Sequence, residues 1–235
     1  MAAPVKGTSD AGRRREAQAH QTRQRIVEAG LRLFLDRGYV ATTVAAIARD
    51  ARVAPATVYQ AFGTKQAILA RALDVTVVGD AAPVALLDRG WIARARGEAD
   101  GVRRLGIVVR GAAEVAARTA AIKEVMRDAA ASEPEVARLI REDTERRHRT
   151  QQALVELLTE ALPLRSGIDS DSATATFFAV VNSHTYQLLV GHLGWSAEQW
   201  QQWLVEVVQR ELFDIGEPSP IPKSRLPRTR PPRRH

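Results

Sequence analysis

The chain has 235 residues, 45% of them hydrophobic, and 34 Lys and Arg against 27 Asp and Glu give a formal net charge of +7. That is room for one large domain, or a small one and a medium one, with apolar residues enough for a core. No cysteine occurs, which excludes disulfides, Cys-ligated zinc and a thiol nucleophile, and no charge-free apolar run is long enough to predict a transmembrane helix or a secretory leader.

The charge is unevenly placed. Residues 1–75 hold 12 Lys and Arg against 6 Asp and Glu, residues 76–222 hold 16 against 21, and residues 223–235 hold 6 against none. A basic head and a basic tail thus flank an acidic body, and a polyanion would dock at the ends. The missing cysteines fit a reducing, cytoplasmic setting.

In chain order, residues 1–18 are rich in Ala, Gly and charge, centred on Arg13, Arg14 and Arg15. They show no apolar period and are expected to be a disordered basic arm. A first helix is predicted from about His20 or Thr22, with Ile26, Ala29, Leu33 and Phe34 on one face and Gly38 as its C-terminal cap. Thr43 should N-cap a second helix whose buried face is Val44, Ile47, Ala48 and Ala51. Pro55 suits the first position of a third helix, with Val58 and Phe62 pointing inward and Gly63 ending it. Thr64 should cap a helix carrying Ile68, Leu69, Ala72 and Leu73.

Helical patterns continue to the end of the body. They run over about 64–79, 82–96, 100–118 and 120–131, with a break near Asp80 and Pro83. Pro134 should open a long helix to Leu162, and Pro163 and Gly167 should end it. Asp169 or Ser170 should cap a helix running to about Leu193. Ser196 with Gln199 forms a capping box for a helix to about Phe213. Residues 216–235 are rich in Pro and Arg and are expected to be unfolded. The prediction is an all-α protein of about nine helices. A three-helix N-terminal domain is expected at 19–65 and a helical body at 66–215.

The second and third helices have the spacing of a helix-turn-helix, with a small residue at the crossing (Ala48) and apolar residues after the turn (Val53, Val58). The outer face of the third helix offers Ala54, Ala56, Thr57, Tyr59 and Gln60, with Lys65 beyond it. Small residues let such a helix sink into a major groove. Thr57 and Gln60 can bond base edges, and Ala56 can touch a thymine methyl. Tyr59 and Lys65 suit phosphate oxygens. Arg13 to Arg15 can serve as an arm in a neighbouring minor groove.

The segment from Ala41, Thr42, Thr43 and Val44 through Ile47 and Ala48 to Thr57, Val58, Tyr59, Phe62, Lys65, Ile68 and Leu69 resembles the N-terminal domain of the TetR family of transcriptional regulators. Leu33, Phe34, Gly38 and Tyr39 fit upstream, and the match covers about residues 20–75. Further on, Gly194, Trp195, Ser196 and Trp200, with Tyr186 to Leu189 before them, resemble one group within that family. The resemblance implies an all-helical homodimer that binds operator DNA and releases it when a small molecule enters the body. It also implies backbone contacts from Thr43, Thr57, Tyr59 and Lys65. In one respect the sequence departs: Arg52 stands in the turn where the family usually has glycine. A left-handed turn there would cost about 1–2 kcal/mol.

The body offers two further expectations. Tyr186, Leu189, Trp200, Trp203, Leu204, Val207 and Val208 should form the dimer interface, two helices from each subunit closing a four-helix bundle. Trp91, Met126, Phe177 and Phe178, with the polar groups His148, Asn182, His184 and Tyr186, are the candidates for an effector pocket. The acidic surplus of the body favours a cationic or neutral effector. Glu142, Asp143, Glu145 and His148 alternate with Arg141, Arg146, Arg147 and Arg149 and are expected to form a salt-bridged solvent face. No catalytic constellation, metal motif or cofactor loop is expected. The expected partners are double-stranded DNA, a second copy of the chain and a small-molecule effector, with no membrane. The competing reading is a helical protein-interaction module with a vestigial DNA-binding head, which would lack the steep salt dependence of a DNA reader.

Overall fold

The computed structural model describes residues 10–79 and 86–215. The predicted arm at 1–9, the break at 80–85 and the tail at 216–235 lie outside the described residues. The chain divides into two compact units, Met1–Val75 with Val125–Ala137, and Thr76–Glu124 with Arg138–His235.

The first unit begins with α1 (Asp10–Ala41). Residues 10–18 are therefore helical, where disorder was expected. Ala, Arg, Glu and Gln are strong helix formers, and lengthening an existing helix needs no new nucleus. Gly38, at φ 77° and ψ 169°, interrupts the helical run near its end. The Thr42 hydroxyl, buried behind it, lies 2.8 Å from the Gly38 carbonyl and 3.1 Å from that of Leu33, and so fixes how the chain leaves α1. The Ile26, Ala29 and Phe34 face is wholly buried. A Cβ on Gly30 would stand 2.6 Å from Ile68 Cγ2.

Helix α2 (Val44–Asp50) starts as predicted, the Thr43 hydroxyl accepting from the Ala46 N–H at 3.1 Å. Its end is a Schellman motif. The Arg52 N–H donates to Arg49 O and the Val53 N–H to Ala48 O, the paired 5→2 and 6→1 bonds that satisfy a helix's last carbonyls. That closure requires a left-handed residue after the cap, and Arg52 supplies it at φ 56°. Helix α3 (Pro55–Phe62) has Pro at its first turn and buries Val58. Helix α4 (Lys65–Val78) follows, Thr64 Oγ1 accepting from the Ala67 N–H at 3.1 Å.

The second unit is also helical. After a 3-10 turn at Leu86–Asp88 come α5 (Gly90–Gly97), α6 (Gly101–Ala130), α7 (Pro134–Thr159), α8 (Ser170–Val180) and α9 (Ser183–Tyr186). A π-helical stretch at Gln187–His192 precedes α10 (Ala197–Leu212). Two boundaries differ from the sequence reading. The segments 100–118 and 120–131 are one helix, α6, because no Gly or Pro stands between Gly111 and Ala130. The segment 170–193 is broken at Val181 and Asn182. Asn182 is an N-cap in extended conformation, its Oδ1 accepting from the N–H groups of His184 and Thr185. A side-chain acceptor two residues from those N–H groups competes with the helical ladder, and here it wins.

The break at Val181 strands the last carbonyls of α8, and α7 meets two of them. Gln151 Nε2 donates to Val181 O at 2.8 Å and Arg147 to Phe178 O at 3.3 Å. Leu105, Val108, Val109, Leu154, Leu158, Phe177, Trp200 and Leu204 share the core of this unit. Trp91 lies directly on the α6 backbone, since a Cβ on Gly111 would come within 2.5 Å of its indole.

Arg52→Gly should relieve the left-handed penalty of about 1–2 kcal/mol, less the extra chain entropy of glycine, on the order of 0.5–1 kcal/mol. Calorimetry should show a melting temperature raised by about 2–4 °C for the transition that includes α2. A fall would mean that the Arg52 side chain contributes more than its backbone strain costs.

Candidate nucleic-acid interface

An eight-residue helix is too short to hold itself together in water, so α3 depends on α2, against which it packs. Ile47, Ala48 and Val58 are buried at 0–1% exposure. With that face inside, the opposite one turns outward. Ala54, Ala56 and Gln60 are exposed, Thr57 is half-buried, and Tyr59 is 56% exposed. Thr43 is exposed at the start of α2. The expected DNA-facing residues of α3 and its start are therefore at least partly open to solvent, small at the helix start and polar beyond.

Lys65 is different from the sequence reading in one respect. Its ammonium already has intramolecular partners. Nζ donates to Tyr39 O at 2.9 Å and sits 4.0 Å from the centre of the Tyr39 ring. Burial holds its pKa below the usual lysine value, with Glu133 acting the other way. The Tyr39 phenol is pushed up to about 12 by burial and then by the charges of Glu133 and Glu135. Two ammonium protons remain for a phosphate, but Lys65 is also a tie between α4 and the end of α1.

Of the expected effector residues, two come together at one cavity and the others lie apart from its lining. Trp91 and Asn182 border a cavity in the second unit. Phe177 is fully buried in the core. Phe178 stacks with His148 at 5.6 Å and under Arg147 at 3.6 Å. Tyr186 meets Trp200 edge-on at 5.1 Å, His184 is exposed on α9, and Met126 belongs to the first unit. The expected dimer stripe is also largely spent. Trp200, Leu204 and Val208 are fully buried in their own unit and Val207 is 9% exposed, which leaves the partly buried Trp203, Leu189 and Tyr186 to meet a partner. The stripe faces inward because α10 packs against α8 within the chain.

The charged stretch of α7 is largely the expected solvent face, with Arg141, Glu142, Glu145, Arg146, His148 and Arg149 exposed, but two of its members turn inward. Asp143 is 9% exposed and pairs with Lys123 at 2.8 Å, and Arg147 lies over the Phe178 ring. Sequence reasoning missed Thr42, Lys123, Arg147 and Gln151. The available signal for the last two was their i, i+4 spacing, which places both on one helix face.

An all-helical chain with a small-faced helix-turn-helix at its head is the class that this fold and surface define. Residues 26–72 match the model of a family described as bacterial regulatory proteins, tetR family. Over 49 residues the chain is 43% identical to the HTH-type transcriptional regulator HbdR of Aromatoleum sp. (strain CIB), a match spanning 21% of each chain. The fold is similar over much greater length to solved regulators. FadR of Bacillus subtilis, in complex with stearoyl-CoA, is 18% identical with a TM-score of 0.62, covering 79% of this chain and 96% of that one. A Saccharomonospora viridis regulator in complex with choline is 22% identical with a TM-score of 0.61, covering 82% and 97%. The head of the chain, residues 26–72, belongs to the TetR family, and the likeness of the rest to these regulators is one of fold.

Tyr59→Ala removes an exposed side chain and should leave the melting temperature within about 0.5 kcal/mol of stability, while weakening DNA affinity about 10-fold or more. Lys65→Ala should weaken DNA binding and also cost stability, on the order of 1–3 kcal/mol for the lost bond to Tyr39 O. Titration of labelled duplex alongside thermal melts separates the two. Unchanged affinity in Tyr59→Ala would remove Tyr59 from the interface.

Proposed function

We propose that the chain is a ligand-responsive transcriptional repressor acting in the cytoplasm, with residues 19–65 as its DNA-binding domain and 66–215 as its effector-binding and dimerisation domain. The single observation that carries this is the outward face of α3, exposed at Ala54, Ala56, Tyr59 and Gln60 while Val58 is buried. Thr43, Thr57, Tyr59 and Lys65 hold phosphates and fix register. Ala54, Ala56 and Gln60 meet base edges.

One such helix reads too few bases for a specific site. Two copies in a symmetric dimer would read half-sites about 34 Å apart, so the operator is a palindrome. The dimer surface takes in Trp203, Leu189 and Tyr186, together with Leu188 and Leu193, which are 44% and 53% exposed. The effector enters the second unit and favours a dimer geometry that no longer matches the half-site spacing, so effector and DNA oppose each other by reciprocal linkage. The choline and stearoyl-CoA complexes of the two similar folds support a ligand-taking body.

Selection of duplexes from a random pool should return a palindrome. Affinity for it should fall about 10³-fold between low and physiological salt. Gln60→Ala should change the preferred bases at a symmetric pair of positions. An unpatterned pool with salt-insensitive binding would overturn the reading.

A further inference from the structure

The second unit contains a cavity of about 60 Å³, room for roughly four or five waters. Its walls come from four places in the chain. Ala112, Ala116, Thr119 and Lys123 line it from one face of α6, and Arg147, Gln151 and Leu154 from one face of α7. Trp91 and the break at Val181 to Ser183 complete it. Most of the lining is apolar, and it includes two cations and no carboxylate.

The two cations are not equivalent. Lys123 is neutralised by Asp143 at 2.8 Å. Arg147 has, among the described residues, no carboxylate within ion-pair distance. Its partners are the Phe178 carbonyl at 3.3 Å and the Phe178 ring. Burial lowers its pKa to about 10, and the charge of Asp143 opposes that shift. A guanidinium with five N–H donors and one carbonyl to satisfy retains a fork for a further acceptor.

Four residues along the same face, Gln151 is 5% exposed. Its Nε2 is committed to Val181 O, which settles which end of the amide is oxygen. Its Oε1 is buried with no hydrogen-bond partner. An orphaned buried acceptor costs about 1–3 kcal/mol, and one that lines a cavity is relieved by a guest that donates to it. The cavity is thus bordered, one helical turn apart, by a cation with no carboxylate at ion-pair distance and by a residue whose buried acceptor is unsatisfied, against apolar walls.

We propose that this cavity binds a small organic carboxylate carrying a hydroxyl or N–H donor, with the carboxylate on Arg147 and the donor on Gln151 Oε1. The proposal deepens the effector reading above and rests on it for the role of the ligand in regulation. It reverses the expectation, drawn from overall charge, of a cationic or neutral effector. Charge is felt within a Debye length, so the local cation outweighs the acidic average of the body. A choline-like quaternary ammonium has a hydroxyl to donate to Gln151 Oε1 but would meet Arg147 as a like charge.

Calorimetric titration of the full chain with four probes tests this: 2-hydroxybutanoate, butanoate, butylamine and choline. 2-Hydroxybutanoate should bind most tightly, butanoate about 10-fold more weakly for lack of the donor, and the two cations not measurably. Arg147→Met should lower affinity for both acids by about 30-fold or more, and Arg147→Lys should retain the preference for acid over amine. Gln151→Met should erase the advantage of the hydroxy acid over butanoate. That ratio is read within one variant, so a loss of stability common to both titrations leaves it unchanged. Cations binding as well as acids, acids failing to bind at millimolar concentration, or an unchanged ratio in Gln151→Met would overturn the proposal. Parallel titration of the selected duplex separates the two readings. Acid binding without DNA binding would sink the regulator and spare the site, and DNA binding without acid binding would do the reverse.

Discussion

The packing of α3 on α2 is the interaction on which the functional reading depends. Neither helix reaches the length at which an isolated helix persists in water, so each is helical because its neighbours bury its apolar face, α1 and α3 for α2, and α2 for α3. The turn between them is then fixed by backbone chemistry. Val53 N–H reaches back to Ala48 O and Arg52 N–H to Arg49 O, and these bonds exist only with residue 52 in the left-handed region. Arginine accepts that conformation because the closed turn and the packed helices behind it outweigh a local cost of about 1–2 kcal/mol. Strain at a turn is tolerated where the surroundings over-determine it.

The same logic of stranded carbonyls shapes the second unit. Asn182 diverts two N–H groups from the ladder, α8 ends, and its last carbonyls need donors. Arg147 and Gln151 reach across from α7 to supply them. Each side chain has more bonding capacity than the carbonyl uses. A guanidinium and an amide brought inside to finish a helix end thus leave a spare donor fork and a spare acceptor facing a cavity. The proposed binding site thus follows from a capping requirement, with no residue placed there for the ligand alone.

The local marks of the first unit were legible in the sequence because they act over a few residues. Thr43, Pro55, Gly63 and Thr64 cap and punctuate by chemistry that needs no tertiary partner, and the structure places each at the predicted end. The second unit was less legible for the opposite reason. Whether Asn182 breaks a helix depends on whether its freed carbonyls find donors from α7, 30 residues away in the chain. Whether Asp143 and Arg147 face water depends on Lys123 and Phe178. The alternating charges of α7 look identical in sequence whether they are solvated or turned inward. Lys65 shows the same ambiguity at the interface itself, since its bond to Tyr39 O spans 26 residues.

The partition of α10 has a consequence for assembly. A stripe containing Trp200, Leu204 and Val208 predicts an interface, yet these side chains are fully buried within one chain. An apolar helix face can be buried only once, and α8 takes it. The dimer proposed above is therefore left with what α10 and the π-helical stretch keep outside: the edge of Trp203, and the exposed Leu188 and Leu193. Trp203 is held edge-on by Trp195 at 6.1 Å, so its ring is oriented by its own chain before a partner arrives. Such a surface is smaller than the full stripe suggests, but its aromatic element is already ordered, which lowers the entropy lost on association.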